Sequence, residues 1–81
     1  MNNISCQIGK MVRFHRKKAA LTQSSLAKLA GIGKTAVFDL EKGNPEMQLS
    51  TLLSILHVLN IKIEFMGPIM HLFKKELDEK G

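Results

Sequence analysis

The chain of 81 residues contains one cysteine, two prolines, four phenylalanines, and neither tryptophan nor tyrosine. Cys6 alone cannot close an intramolecular disulfide, so a chain near the small end of what folds unstapled must be held together by burial. His15, His57 and His71 are too far apart for a local metal-ligand spacing, and neither a metal nor another cofactor is expected. Met1 to Gly9 carries no charged segment followed by an apolar run, so no secretory signal is expected and a reducing cytoplasm is the natural setting. The longest uncharged window runs from Met47 to Ile61 and is interrupted by Gln48, Ser50, Thr51, Ser54, His57 and Asn60. It is shorter than the roughly 20 residues a bilayer span needs. It reads as a core helix, with no membrane partner.

Apolar residues make up 44% of the chain, with eleven Leu and seven Ile, enough for one compact, aliphatic core. Twelve basic against seven acidic residues (12 − 7) give +5. Residues 1–43 hold eight basic groups against Asp39 and Glu41 (8 − 2 = +6), and residues 44–81 hold four against five (4 − 5 = −1). A basic half on a helical scaffold suggests a polyanionic partner, the alternative being a solvated face.

Ser5 is a candidate cap for a first helix, in which Ile8, Met11, Val12 and His15 recur at helical spacing up to Ala19 or Ala20. Thr22 caps a second, with Leu26, Leu29 and Ala30 on its apolar face and Gly31 past its end. A third spans Lys34–Glu41 with Val37 and Leu40 inward, and Lys42-Gly43-Asn44-Pro45 breaks it. Leu49, Leu52, Leu53, Leu56 and Leu59, with Ile55, form the strongest helical stripe and read as core.

After Asn60 the period changes to two. Ile61, Ile63 and Phe65 alternate with Lys62, Glu64 and Met66 until Gly67-Pro68, which is a strand pattern. A lone strand leaves its backbone groups unpaired, so the expected partner is the same strand of a second copy. Antiparallel pairing about Ile63 sets Lys62 opposite Glu64 and Ile61 opposite Phe65, which predicts a two-fold homodimer. In the tail, Ile69, Leu72, Phe73 and Leu77 lie at helical spacing. The tail is an amphipathic helix packed on the dimer, or a segment held for another protein.

Residues 23–42 follow a helix-turn-helix plan. Ala27 is small where the two helices must cross closely, Gly31 permits the sharp turn, and Val37 and Leu40 face Leu26 and Leu29. The stretch Leu21-Thr22-Gln23-Ser24-Ser25-Leu26-Ala27-Lys28-Leu29-Ala30-Gly31-Ile32 resembles that of Xre/Cro-type, phage-repressor-like regulators. The resemblance extends over about residues 8–60 through Glu41-Lys42-Gly43-Asn44-Pro45 and the Leu-rich helix. The added strand and the helix around Gly33 to Gly43 resemble the HipB-like antitoxins, dimeric regulators encoded beside HipA-like serine/threonine kinases.

The resemblance implies residue roles. It places Gln23 against a phosphate at a helix N-terminus, and Lys42 with amides near Gly43 and Asn44 on the other flank. It places Gly33, Lys34, Thr35, Phe38 and Asp39 on the major-groove face. Lys34 suits a guanine edge, Thr35 a base edge or thymine methyl, and Phe38 such a methyl. Arg16 and Glu41 match a pair that ties the first helix to the end of the recognition helix, and His15 is a core-edge histidine. Gly33 and Phe38 replace residues that are usually polar in the family, and Asp39 must accept from cytosine, pair with Lys34 or Lys42, or repel phosphate. Specificity can then lean on DNA shape.

Gly31-Ile32-Gly33-Lys34-Thr35 is not a phosphate loop, because Lys28 stands where that loop needs glycine. Nor do Cys6, the histidines and the carboxylates form a nucleophile–base set, so no enzyme is expected. The expected architecture is mainly α, a five-helix phage-repressor-like helix-turn-helix fold with one short C-terminal β-strand pairing across a homodimer: the DNA-binding domain at 1–60, the dimerising strand at 61–66 (Ile61, Lys62, Ile63, Glu64, Phe65), and an amphipathic tail at 69–81. The expected function is operator binding and repression on double-stranded DNA, in the cytoplasm at the nucleoid. The resemblance adds a HipA-like kinase partner and autorepression of the operon. A stand-alone phage-like repressor and a protein-interaction module with little DNA binding are the alternatives.

Overall fold

The computed structural model describes residues 3–80. Met1, Asn2 and Gly81, which the expected domain and tail include, lie outside the described residues. The chain forms α1 (Ile4–Lys18), α2 (Gln23–Ala30), α3 (Lys34–Glu41), α4 (Leu49–Val58) and α5 (Met70–Lys80).

The first helix starts two residues earlier than Ser5 would set it. Asn3 is the cap, its side-chain oxygen accepting from the Cys6 amide at 2.9 Å, while Ser5 is buried within the helix. Both are good capping residues, and the extended backbone at Asn3 decides between them. Thr22 caps α2 as expected, accepting from the Ser25 amide at 3.0 Å.

Helices α1 to α4 all end in one motif. A left-handed residue follows each: Ala20 (φ 60°), Gly31 (φ 71°), Gly43 (φ 87°) and Asn60 (φ 58°). Its amide and the next reach back to the last-turn carbonyls, as in Ala20 to Lys17 with Leu21 to Arg16, and Gly31 to Lys28 with Ile32 to Ala27. The same pairs recur as Gly43 to Leu40 with Asn44 to Asp39, and Asn60 to His57 with Ile61 to Leu56. This is the Schellman termination, which satisfies carbonyls that a helix end otherwise leaves open.

Val12, Leu26, Ala27, Val37, Leu40, Leu52, Ile55 and Leu56 form the core, where α3 packs on α1 and α2 and α4 packs on α2. Two expectations for that core are corrected. Leu29 is 63% exposed rather than opposed to Val37 and Leu40, and Leu49 and Leu53 also face outward. Apolar residues cover more of α2 and α4 than the single face each turns to its neighbours; Leu29, Ala30, Leu53, Ser54, His57 and Val58 line a shallow open groove instead.

The segment expected as a strand, 61–66, is irregular, and among the described residues no strand forms. A ladder needs a second backbone, which a single chain does not offer here. Ile61 is half-buried on the core, and Ile63, Phe65 and Met66 are exposed. The tail is helical as its spacing predicts, with Leu72, Phe73 and Leu77 more than half exposed. Among the described residues no helix is long and apolar enough to cross a membrane.

Candidate nucleic-acid interface

Gly33, at the N-cap of α3, is extended and, lacking a side chain, makes no capping bond; a Cβ there would meet open space. With Val37 and Leu40 buried, the helical repeat turns Lys34, Thr35, Phe38 and Lys42 to the outside. Gln23, the first residue of α2, stands beside them, and Gln23, Lys34, Thr35 and Phe38 line one concavity. Arg13, Arg16, Gln23, Phe38, Glu41 and Lys42 line the adjoining one, so Gln23 and Phe38 belong to both. The Lys42 ammonium lies 5.0 Å from the centre of the Phe38 ring, within the range of a cation–π contact.

Beneath this surface, Arg16 and Glu41 form a two-pronged ion pair, Nε to Oε2 at 2.6 Å and Nη2 to Oε1 at 2.9 Å. Arg16 Nη1 also donates to the Leu21 carbonyl at 2.9 Å. The side chains are 10% and 4% exposed, so the pair joins α1, the start of the motif and the end of α3 in one buried network. The hydrogen bond to Glu41 raises the Arg16 guanidinium above its ordinary value, against burial. Burial pushes the Glu41 carboxyl up, but hydrogen bonds from Arg16 and Gln23, with the charges of Arg16 and Arg13, outweigh it and hold the carboxyl below its ordinary value.

Several expected site residues are placed differently. Gln23 is at the helix start, but its amide nitrogen donates inward to Glu41 Oε1 at 3.2 Å. The amides of Lys42, Gly43 and Asn44 are engaged by the carbonyls of Phe38, Leu40 and Asp39, so the α3 termination uses the groups expected to grip a phosphate. Gly43 is buried, and a Cβ there would lie 3.0 Å from Cys6 Sγ, so α1 packs closely on this turn. Asp39 lines a separate concavity with Ala36, Asn44, Glu46, Met47, Gln48 and Thr51. The outer strip therefore has a basic flank with Arg13, Lys34 and Lys42 and an acidic flank with Asp39 and Glu46. Arg13 was not singled out from the sequence; its position three residues before Arg16, on one side of α1, was the available signal.

Two short helices packed on each other, with Ala27 buried on α2, joined by a left-handed glycine turn and carrying a solvent-facing basic strip on α3, define a helix-turn-helix domain of the DNA-binding type. The comparisons agree. The family model described as helix-turn-helix matches residues 12–66, and the chain belongs to this family. The uncharacterized HTH-type transcriptional regulator y4mF of Sinorhizobium fredii (strain NBRC 101917 / NGR234) is 39% identical over 61 residues, covering 75% of this chain and 80% of the relative. A chain in the structure of a HipA-HipB-O2-O3 complex superposes with a TM-score of 0.74 at 24% identity, covering 84% of this chain and 96% of that one. A structure of an MDT protein gives the same TM-score, identity and coverage. These similarities establish a helix-turn-helix transcriptional regulator with a mainly helical fold.

Proposed function

We propose that the chain is a homodimeric, sequence-specific repressor that inserts α3 into the major groove of double-stranded DNA. The observation that carries this reading is the exposed strip of Lys34, Thr35, Phe38 and Lys42, flanked by Arg13 and Gln23 and held by the buried Arg16–Glu41 pair. Basic groups supply phosphate neutralisation, and Lys34 and Thr35 supply base-edge donors. In this reading residues 1–60 hold the DNA and 61–66 pair two copies, setting half-sites about one helical turn apart or a multiple of it. Exposed Ile63, Phe65 and Met66 support the pairing, because an isolated monomer gains nothing from leaving them in water.

The finer reading is an antitoxin that binds a HipA-like serine/threonine kinase and represses its own operon at the nucleoid. The likeness to a HipB-containing complex supports it, and the exposed stripe Leu72, Phe73 and Leu77 gives 69–81 a surface for such a partner. A kinase-motif reading frame beside the gene whose product co-purifies with this chain is the expected finding. Its absence leaves a stand-alone repressor.

The DNA reading is tested by gel shift with the fragment upstream of the chain's own gene. Retention at nanomolar to micromolar protein, weakening steeply with salt, is the expected result. No shift at any salt would leave a protein-interaction module, for which the open Leu29–Leu53 groove is the supporting feature.

A further inference from the structure

We propose that α5 of each copy docks into the groove between α2 and α4 of a second copy, which rests on the pairing of 61–66 proposed above. Two apolar surfaces of the chain are uncovered. One is the open groove lined by Leu29, Ala30, Leu53, Ser54, His57 and Val58. The other is the exposed stripe of Leu72, Phe73 and Leu77 on α5, with Ile69 just before it. The helices that pack are α1 on α3, α2 on α3 and α4, and α3 on α4, so α5 stands outside the bundle. An isolated helix shorter than about 12–15 residues is marginal in water, and α5 has 11. It therefore needs a surface to fold against. The helix-turn-helix family match ends at residue 66, so α5 is an addition to the part that the family describes.

The register decides which copy's groove is within reach. Antiparallel pairing about Ile63 brings Met66 of one copy beside Asn60 of the second, since each lies three positions from Ile63. Asn60 is the left-handed residue that closes α4, and His57 and Val58 in the turn before it line the groove. Helix α5 begins at Met70, shortly after Met66, so it starts at the end of the second copy's α4. Its own α4 ends on the far side of the ladder, roughly 20 Å away along the extended strand. From that start α5 can run antiparallel to the second copy's α4, 11 residues against 10, or about 16 Å against about 15 Å. The N-terminal end of one helix dipole then lies beside the C-terminal end of the other. Charge at the rim also matches: Lys28 is exposed beside Leu29, none of the residues lining the groove is acidic, and α5 carries Asp78 and Glu79 in its last turn. Two-fold symmetry repeats the contact, so both grooves and both stripes are covered at once. A partner protein that takes α5 then has to compete with the second copy.

Hydrogen exchange read by mass spectrometry on the full chain tests this, with sedimentation run at the same concentration. Uncovered, α5 frays and its amides exchange fast; docked, they are protected. Wild type is expected to be a dimer whose α5 amides exchange more slowly than those of Leu29→Asp or Leu77→Asp, by roughly tenfold for each apolar side chain that docking covers. Leu29 and Leu77 are both exposed in the single chain, so neither substitution removes a core contact. Ile63→Asp, as a monomer, is expected to lose the protection as well. Protection that survives in monomeric Ile63→Asp would place α5 on its own chain and overturn docking between copies. Protection that survives in Leu29→Asp would place α5 on another surface, and a wild-type dimer with unprotected α5 would leave the stripe free for a different protein. Either result overturns the proposal while the pairing of 61–66 stands. Wild type that sediments as a monomer, or Ile63→Asp that stays a dimer, would overturn both together.

Discussion

Gly9 and Leu40 meet backbone to backbone: a Cβ on Gly9 would lie 2.6 Å from the Leu40 carbonyl oxygen and 2.8 Å from that of Glu41. Helix α1 thus rests on the C-terminal end of α3, close to where Glu41 enters its ion pair with Arg16. Helix propensity alone favours alanine over glycine at a helix interior by about 1 kcal/mol. The close approach reverses the sign, because carbonyls in a Schellman end cannot yield as a flexible side chain can. Gly9→Ala is expected to lose about 2–3 kcal/mol through overpacking, lowering the melting temperature by roughly 10–20 °C. Circular-dichroism melting checks this, and a variant as stable as wild type would show that the two helices can part.

Ala20 presents the opposite case. It holds φ 60° at the end of α1, a conformation that costs an L-residue with a Cβ roughly 1–2 kcal/mol and glycine almost nothing. The added freedom of glycine in the unfolded chain takes back part of the gain. Ala20→Gly is expected to stabilise the domain by about 0.5–1 kcal/mol, read as a melting temperature higher by a few degrees. A lower melting temperature would mean that the alanine methyl makes a contact worth more than its backbone strain.

Glu41 makes stability depend on acid. Its folded-state pKa lies below the ordinary value of 4.5, so the folded chain holds fewer protons than the unfolded one in that range. The contribution is complete above about 4.5 and is lost as pH falls through the depressed value. Glu41→Gln leaves the Arg16 guanidinium buried without its carboxylate and is expected to cost about 3–5 kcal/mol at neutral pH. Denaturant titrations across pH are the measurement: wild type should lose stability on acidification more steeply than Glu41→Gln, and parallel curves would assign the acid sensitivity to other carboxylates.

The contrast between Thr22 and Ser5 shows which parts of the molecule were legible in the chain. Thr22 and Gly31 bracket a short apolar repeat and leave one solution, whereas Asn3 and Ser5 are both capping residues before the same repeat, and only backbone geometry ranks them. Periodicity read Leu29 and Leu53 as core, yet both are exposed, since burial depends on which face a neighbouring helix covers. The Arg16–Glu41 pair spans 25 positions and was readable only through family resemblance, as no local spacing brings the two together. The inward turn of Gln23 and the engagement of the Asn44 amide follow from hydrogen-bond requirements at a helix end and in a buried pair. Those requirements act after the fold is formed, so residue type alone did not disclose them.

The pairing segment makes an exposed prediction. Ile63 is 45% exposed in the single chain, so Ile63→Asp should leave the helical core and its melting signal largely intact. In the expected register it would set two carboxylates opposite each other at the centre of the two-fold ladder, where like charges destabilise a strand pair. Sedimentation should change from dimer to monomer, and binding to a two-half-site fragment should weaken with it. A variant that still sediments as a dimer would remove 61–66 from the interface.

The recognition helix offers the sharpest division between reading bases and holding phosphates. Lys34 and Thr35 occupy the first turn of α3, on the wall shared with Gln23 and Phe38, where a recognition helix presents its N-terminal residues to base edges. Phosphate contacts carry no sequence information, while a lost base contact costs affinity at the operator that random DNA never supplied. Lys34→Ala combined with Thr35→Ala is therefore expected to weaken operator binding about tenfold or more while weakening binding to random duplex far less. Affinities on both duplexes, measured across salt concentrations, decide the matter. Equal losses on both, with a shallower salt slope, would mean that the two side chains touch only the backbone, and base reading would then have to come from Phe38 or from DNA shape.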